Sequence, residues 1–96
     1  MDEPITPTPE AFLPHVEKKF HVQGGRHILK LYRVDTPPQG HAPRQPFTLL
    51  FSGPPGDVLR QGLYTLEVDG GPAFQLYVIP IQTFAQDCQD YQAVFN

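Results

Sequence analysis

Four histidines (His15, His21, His27 and His41), a single cysteine (Cys88) and the acid pair Asp87 and Asp90 are the residues with most chemistry to offer. A metal needs donors brought together by spacing. The first three histidines stand six residues apart, which matches neither the paired ligands of a structural zinc site nor the i, i+4 pair of a helical metalloprotease. Asp87 and Asp90 lack the repeated acids and the glycine of a calcium loop. Cys88 sits beside Asp87, an acidic neighbour that works against a thiolate nucleophile. Gly53-Pro54-Pro55-Gly56 cannot cradle phosphate, because proline removes amide donors and no Gly-Lys-Ser/Thr follows. The expectation is no catalytic residue, no metal and no cofactor. An enzyme would require His15, His21 or His41 to meet Asp87, Asp90 or Cys88 in one pocket.

Composition narrows the partners. Ninety-six residues suffice for one domain and one core, with 40% hydrophobic residues. Seven Lys and Arg against ten Asp and Glu give a net charge of −3. Nucleic acids and anionic membranes both favour a basic surface, so neither is expected as a partner. No apolar run approaches the roughly 20 residues that span a bilayer. One cysteine cannot form an internal disulfide, and Met1-Asp2-Glu3-Pro4 lacks the basic and apolar regions of a signal peptide. The expected location is the cytoplasm, or a particle assembled there.

Any site must be positioned by short strands. Residues 1–9 read as a flexible arm, and residues 10–96 as a single β domain. Thr6 or Thr8 could cap a short helix with Pro9 in its first turn, carrying Phe12 towards one end of the core. Period-two patterning then predicts strands at Phe20–Val22, His27–Asp35, Phe47–Ser52, Leu63–Val68, Ala73–Ile81 and Tyr91–Phe95. In the second, Leu29 and Leu31 share a face, and Val34 joins it only if a bulge near Tyr32 shifts the alternation. Thr36–Pro46 and Thr83–Asp90 read as polar loops, Val58 and Leu59 as residues dipping into the core, and Asp69-Gly70-Gly71-Pro72 as a hairpin turn. The fold class is all-β with one short N-terminal helix: a small antiparallel barrel or sandwich of about six strands.

One apolar face is left over. If Phe74, Leu76 and Val78 point inward, then Tyr77, Ile79 and Ile81 point outward. Leu50 and Val94 likewise oppose the core faces of their strands. A one-sided antiparallel sheet carries polar residues there. Either another segment of the chain covers this face, or Leu50, Tyr77, Ile79, Ile81 and Val94 contact a protein partner, another copy or a different assembly component. Tyr32, Tyr64 and Tyr77 are the alternative, as stacking surfaces for a sugar or small ligand.

The residues Phe12-x-x-His15-Val16, Pro46-Phe47-x-Leu49-Leu50-Phe51-x-Gly53-Pro54, Gln61-Gly62-x-Tyr64-Thr65-Leu66 and Tyr91-x-Ala93-Val94-Phe95-Asn96 together resemble a family of uncharacterised small bacterial proteins, from Phe12 onward. That family has no established activity, so the resemblance brings no catalytic residues. It implies relatives near phage tail-collar-like or tail-fibre-like proteins, and hence a structural or attachment role. Glu17 stands where such relatives carry glycine. The favoured reading is a non-enzymatic structural or protein-interaction module, accessory to a phage-tail-like assembly. The alternative is a small-ligand or carbohydrate-binding β module.

Overall fold

The structure is a computed structural model that describes residues 8–36, 46–82 and 87–95. A helical turn, α1 (Pro9–Phe12), runs into a 3-10 turn at Leu13–His15. Six strands follow: β1 (Lys19–Val22), β2 (Ile28–Asp35), β3 (Phe47–Gly53), β4 (Gly62–Val68), β5 (Ala73–Ile81) and β6 (Gln89–Phe95). They close into an antiparallel barrel in the order β1-β2-β3-β6-β5-β4. Closure leaves side chains pointing either into the core or out to solvent, so alternation in the sequence becomes burial. Phe20, Leu29, Leu31, Phe47, Leu49, Phe51, Leu66, Val68, Leu76, Val78, Tyr91 and Ala93 fill the interior. Val34, Tyr64, Phe74 and Phe95 are half-buried against it.

The expected bulge is present. The β2–β3 register runs Leu31↔Phe51 and then Arg33↔Leu50, so Tyr32 is the extra residue. It restores Val34 to the inner face. The hairpin at Asp69–Pro72 is also present, with Gly70 at φ 72°. Gly53 is set by close approach: a Cβ there would lie 2.9 Å from Leu29 Cδ2, so the buried Leu29 side chain would have to shift.

Several expectations are corrected. Val58 is 47% exposed, and of the Val58–Leu59 pair only Leu59 enters the core. Gln89 and Asp90 belong to β6 rather than to a loop, because they pair with Gly53 and Ser52. Thr8 occupies the N-cap position with extended backbone, but its hydroxyl makes no capping bond. His41 lies outside the described residues, as do most of the Thr36–Pro46 loop and residues 83–86 of the later one.

Both barrel ends are closed. At one, Phe12 enters beside Phe74 (ring centroids 4.5 Å apart), Phe47 and Phe95 (6.0 Å each). At the other, the β3–β4 connection folds over the opening. Leu59 is buried there and donates its N–H to Tyr91 Oη at 2.9 Å. Between α1 and β1, Glu17 takes φ 75°, the left-handed region that favours glycine. Its N–H is held by Leu31 O at 2.6 Å.

Candidate interaction surface

The barrel wall has two unlike halves. Lys19, Lys30, Arg33, Asp35 and Glu67 face solvent from the contiguous strands β2, β1 and β4. Across β3, β6 and β5 the only charged residue is Asp90. The five apolar residues predicted to face outward all lie on this second half. Tyr77 (48% exposed) and Val94 (44%) are open to solvent, while Leu50, Ile79 and Ile81 are half-buried. The register brings them together: Ile79 and Leu50 both lie opposite Gln92, from β5 on one side and β3 on the other. Leu63, 60% exposed and opposite Tyr77, extends the patch onto β4. The sequence reading does not single out Leu63, although alternation with Tyr64 and Leu66 signals its outward direction.

The three candidate stacking tyrosines do not form one platform. Tyr64 pairs with Leu76 and packs against the core, with its hydroxyl donating to Arg60 O at 2.7 Å. Tyr77 is on the opposite face of the same ribbon, where its oxygen accepts from Gln61 Nε2 at 3.0 Å. Tyr32 lies on β2 with its hydroxyl 3.4 Å from Asp90 Oδ2. Partial burial, and then the adjacent Asp90 carboxylate, raise the Tyr32 pKa above the usual phenol value. That keeps the phenol a neutral donor.

Among the described residues the candidate histidines have partners separate from those of Cys88 and Asp90. His15 packs edge-on to Phe20 (6.4 Å) and beside Phe74 (6.1 Å), with Nδ1 buried and without a hydrogen-bond partner. His21 approaches Asp69 at 3.8 Å, and His27 approaches Asp57 Oδ1 at 3.6 Å. Cys88 Sγ donates to Asp90 Oδ1 at 3.7 Å on β6, and Asp87 is exposed. Among the described residues no three His, Cys, Asp or Glu side chains are placed to hold a metal ion. No described helix is long and apolar enough to cross a membrane.

An apolar cleft of about 410 Å³ opens where α1 meets β5, lined by Ala11, Phe12 and residues 72–76. Among the described lining residues the one polar side chain is the Gln75 amide.

Searches of curated proteins and of solved structures returned no match. At the level of family, residues 7–95 match a single description, and the chain therefore belongs to the family called Domain of unknown function (DUF6916).

Proposed function

We propose that this domain is a non-enzymatic protein-interaction module that docks a partner on the outer face of β3, β6 and β5. The observation that carries the reading is the split wall. Solvent-facing strands of a small barrel ordinarily carry charge, as β1, β2 and β4 do. Leu50, Tyr77, Ile79, Ile81, Val94 and Leu63 instead make a neighbouring set of apolar side chains around Gln92. Depletion of charge with retention of tyrosine and aliphatic residues is the composition of an interface centre. The resemblance to relatives beside tail-collar-like proteins suggests a phage-tail-like particle as the setting.

The test compares wild type with Val94→Lys, which alters an exposed position and should change stability by no more than about 0.5 kcal/mol. Light scattering reports self-association, and affinity purification from the native source reports other partners. A stoichiometric partner, another copy or a different chain, should be held by wild type and lost by the variant. If wild type is monomeric and both proteins recover the same material, the reading fails.

A further inference from the structure

Among the described residues, burial rather than hydrogen bonding holds the N-terminal plug in the barrel. The backbone hydrogen bonds of residues 9–16 stay inside the segment. Ala11 N–H donates to Thr8 O at 3.0 Å, Leu13 N–H to Pro9 O, and Val16 N–H to Leu13 O at 3.3 Å. What the segment gives the barrel is apolar surface. Pro9 and Phe12 are buried, and Ala11 and Val16 pack against the core. Phe12 fills a mouth walled by the Phe47, Phe74 and Phe95 rings. Burial of this kind depends on area and not on matched donors, so the same segment from a second copy fills the mouth equally well.

The junction behind the plug is strained. Val16 (φ −61°, ψ 136°) and Glu17 (φ 75°) are the central residues of a type II turn, closed by Lys18 N–H to His15 O at 3.0 Å. The second central position of such a turn needs positive φ and favours glycine, yet here it holds a residue with a Cβ. Among the described residues the first backbone bond from this stretch to the barrel is Glu17 N–H to Leu31 O. Everything before Glu17 can therefore leave as a unit when the turn opens. Opening returns Glu17 to the extended region that residues with a Cβ prefer.

We infer that the plug is swapped between two copies of this chain. The turn His15–Lys18 opens, residues 9–16 of each copy cross to the other, and each Phe12 seats in the other copy's aromatic mouth. A short strained hinge favours this arrangement, because each dimer relieves two turns and keeps the buried contacts. The tether sets the concentration scale. A segment on a short linker competes for its own mouth at an effective concentration in the millimolar range, and relief of two turns brings the dimer dissociation constant below about 1 mM. The contact uses the barrel end and is separate from Leu50, Tyr77 and Val94 on the outer face.

Sedimentation of the full chain up to about 1 mM measures the monomer–dimer equilibrium. Glu17→Gly accepts the turn without strain and should raise the dissociation constant at least about tenfold. Glu17→Ala loses the Lys30 contact but keeps the strain, and should stay near the wild-type value. Glu17→Pro, with φ locked at about −65°, forbids the turn and should lower the constant. An equimolar mixture of isotope-labelled and unlabelled wild type, unfolded and refolded together, identifies the contact: NOEs between the Phe12 and Phe74 rings should be intermolecular. A wild type that stays monomeric at about 1 mM, an unchanged constant in Glu17→Gly, or a dimer whose intermolecular NOEs reach Tyr77 and Val94 but not Phe12 would each overturn the swap. The last outcome leaves the outer-face reading standing, whereas a dimer that survives Val94→Lys and shows the Phe12 NOEs supports the swap alone. If Glu17→Pro fails to fold, wild type and Glu17→Gly decide.

Discussion

The two ends of the barrel are closed by different physics. At the α1 end Phe12 sits among Phe47, Phe74 and Phe95, and the Phe47 and Phe95 rings stack at 4.5 Å with 10° between their planes. At the opposite end the closure is directional. Leu59 N–H is bound by Tyr91 Oη, Gln61 Nε2 by Tyr77 Oη, and Arg26 reaches Asp57 Oδ2 through Nη2 at 2.9 Å and Nε at 3.1 Å. Apolar burial is proportional to area and needs no matched donors. A polar closure must satisfy each group it covers. Among the described residues β5 and β6 pair at Ile79, Pro80 and Ile81, towards the polar end, and the aromatic end lies beyond that pairing.

Phe12→Ala is the strongest way to break this comparison. Phe12 is fully buried, and its loss should destabilise the fold by about 3–5 kcal/mol, measured by denaturant unfolding. Amide hydrogen exchange at Gln75 and Tyr77 should rise more than that at Tyr91. A cost below about 1 kcal/mol would mean that the plug is not part of the core.

Tyr91→Phe probes the other end. It removes one oxygen, preserves the ring and strands the buried Leu59 N–H, so a cost of about 1–3 kcal/mol is expected. Burial raises the Tyr91 pKa, an effect partly offset by the Leu59 N–H. A raised phenol pKa means that the folded state resists deprotonation. The stability that follows is complete below the unfolded value of about 10 and is lost as pH climbs through the higher folded value. The variant should therefore lose less stability than wild type above pH 10. An equal alkaline decline in both proteins would assign it to other groups.

What the sequence reveals differs between the ends in the same way. Phe12 is legible because proline and an acid in a short first turn signal a helix, and a phenylalanine on that helix needs somewhere to be buried. All six strands and the Tyr32 bulge are legible because pleating imposes a period of two and an interrupted period requires an extra residue. Alternation also places the outward residues Leu50, Tyr77 and Val94. The Leu59–Tyr91 bond joins positions 32 apart in the chain and leaves no local trace. The short β5–β6 pairing among the described residues is hidden for a related reason. It depends on how far β5 is offset against β6, which neither strand encodes alone. Tyr64 and Tyr77, one residue out of phase across the hairpin, face opposite sides, an offset that depends on the pairing register rather than on either strand alone.

Glu17, which joins the aromatic plug to β1, offers a smaller test. Its left-handed backbone carries a penalty of roughly 1–2 kcal/mol for a residue with a Cβ. Its contact with Lys30 Nζ at 2.9 Å is exposed and offsets at most about 1 kcal/mol of that. Glu17→Ala and Glu17→Gly both remove the ion pair, but only glycine relieves the backbone. Glycine should be the more stable of the two by about 1 kcal/mol in thermal or denaturant unfolding. If alanine equals glycine, residue 17 is not left-handed.

Asp57→Asn should have the smallest effect, and it separates charge from hydrogen bonding at the polar end. Arg26 and Asp57 are both solvent-exposed, so their pairing contributes about 0.2–1 kcal/mol and is screened by salt. His27 Nε2 also lies 3.1 Å from the Asp57 backbone oxygen, a contact the substitution leaves in place. The expected cost is therefore well below that of Tyr91→Phe, and it should shrink further between low salt and 1 M NaCl. The Phe12→Ala cost should not fall with salt, because it reflects buried area rather than charge. An Asp57→Asn cost matching Tyr91→Phe would show that the loop is held down by its ion pair. The Leu59–Tyr91 bond would then be a consequence of that closure rather than its cause.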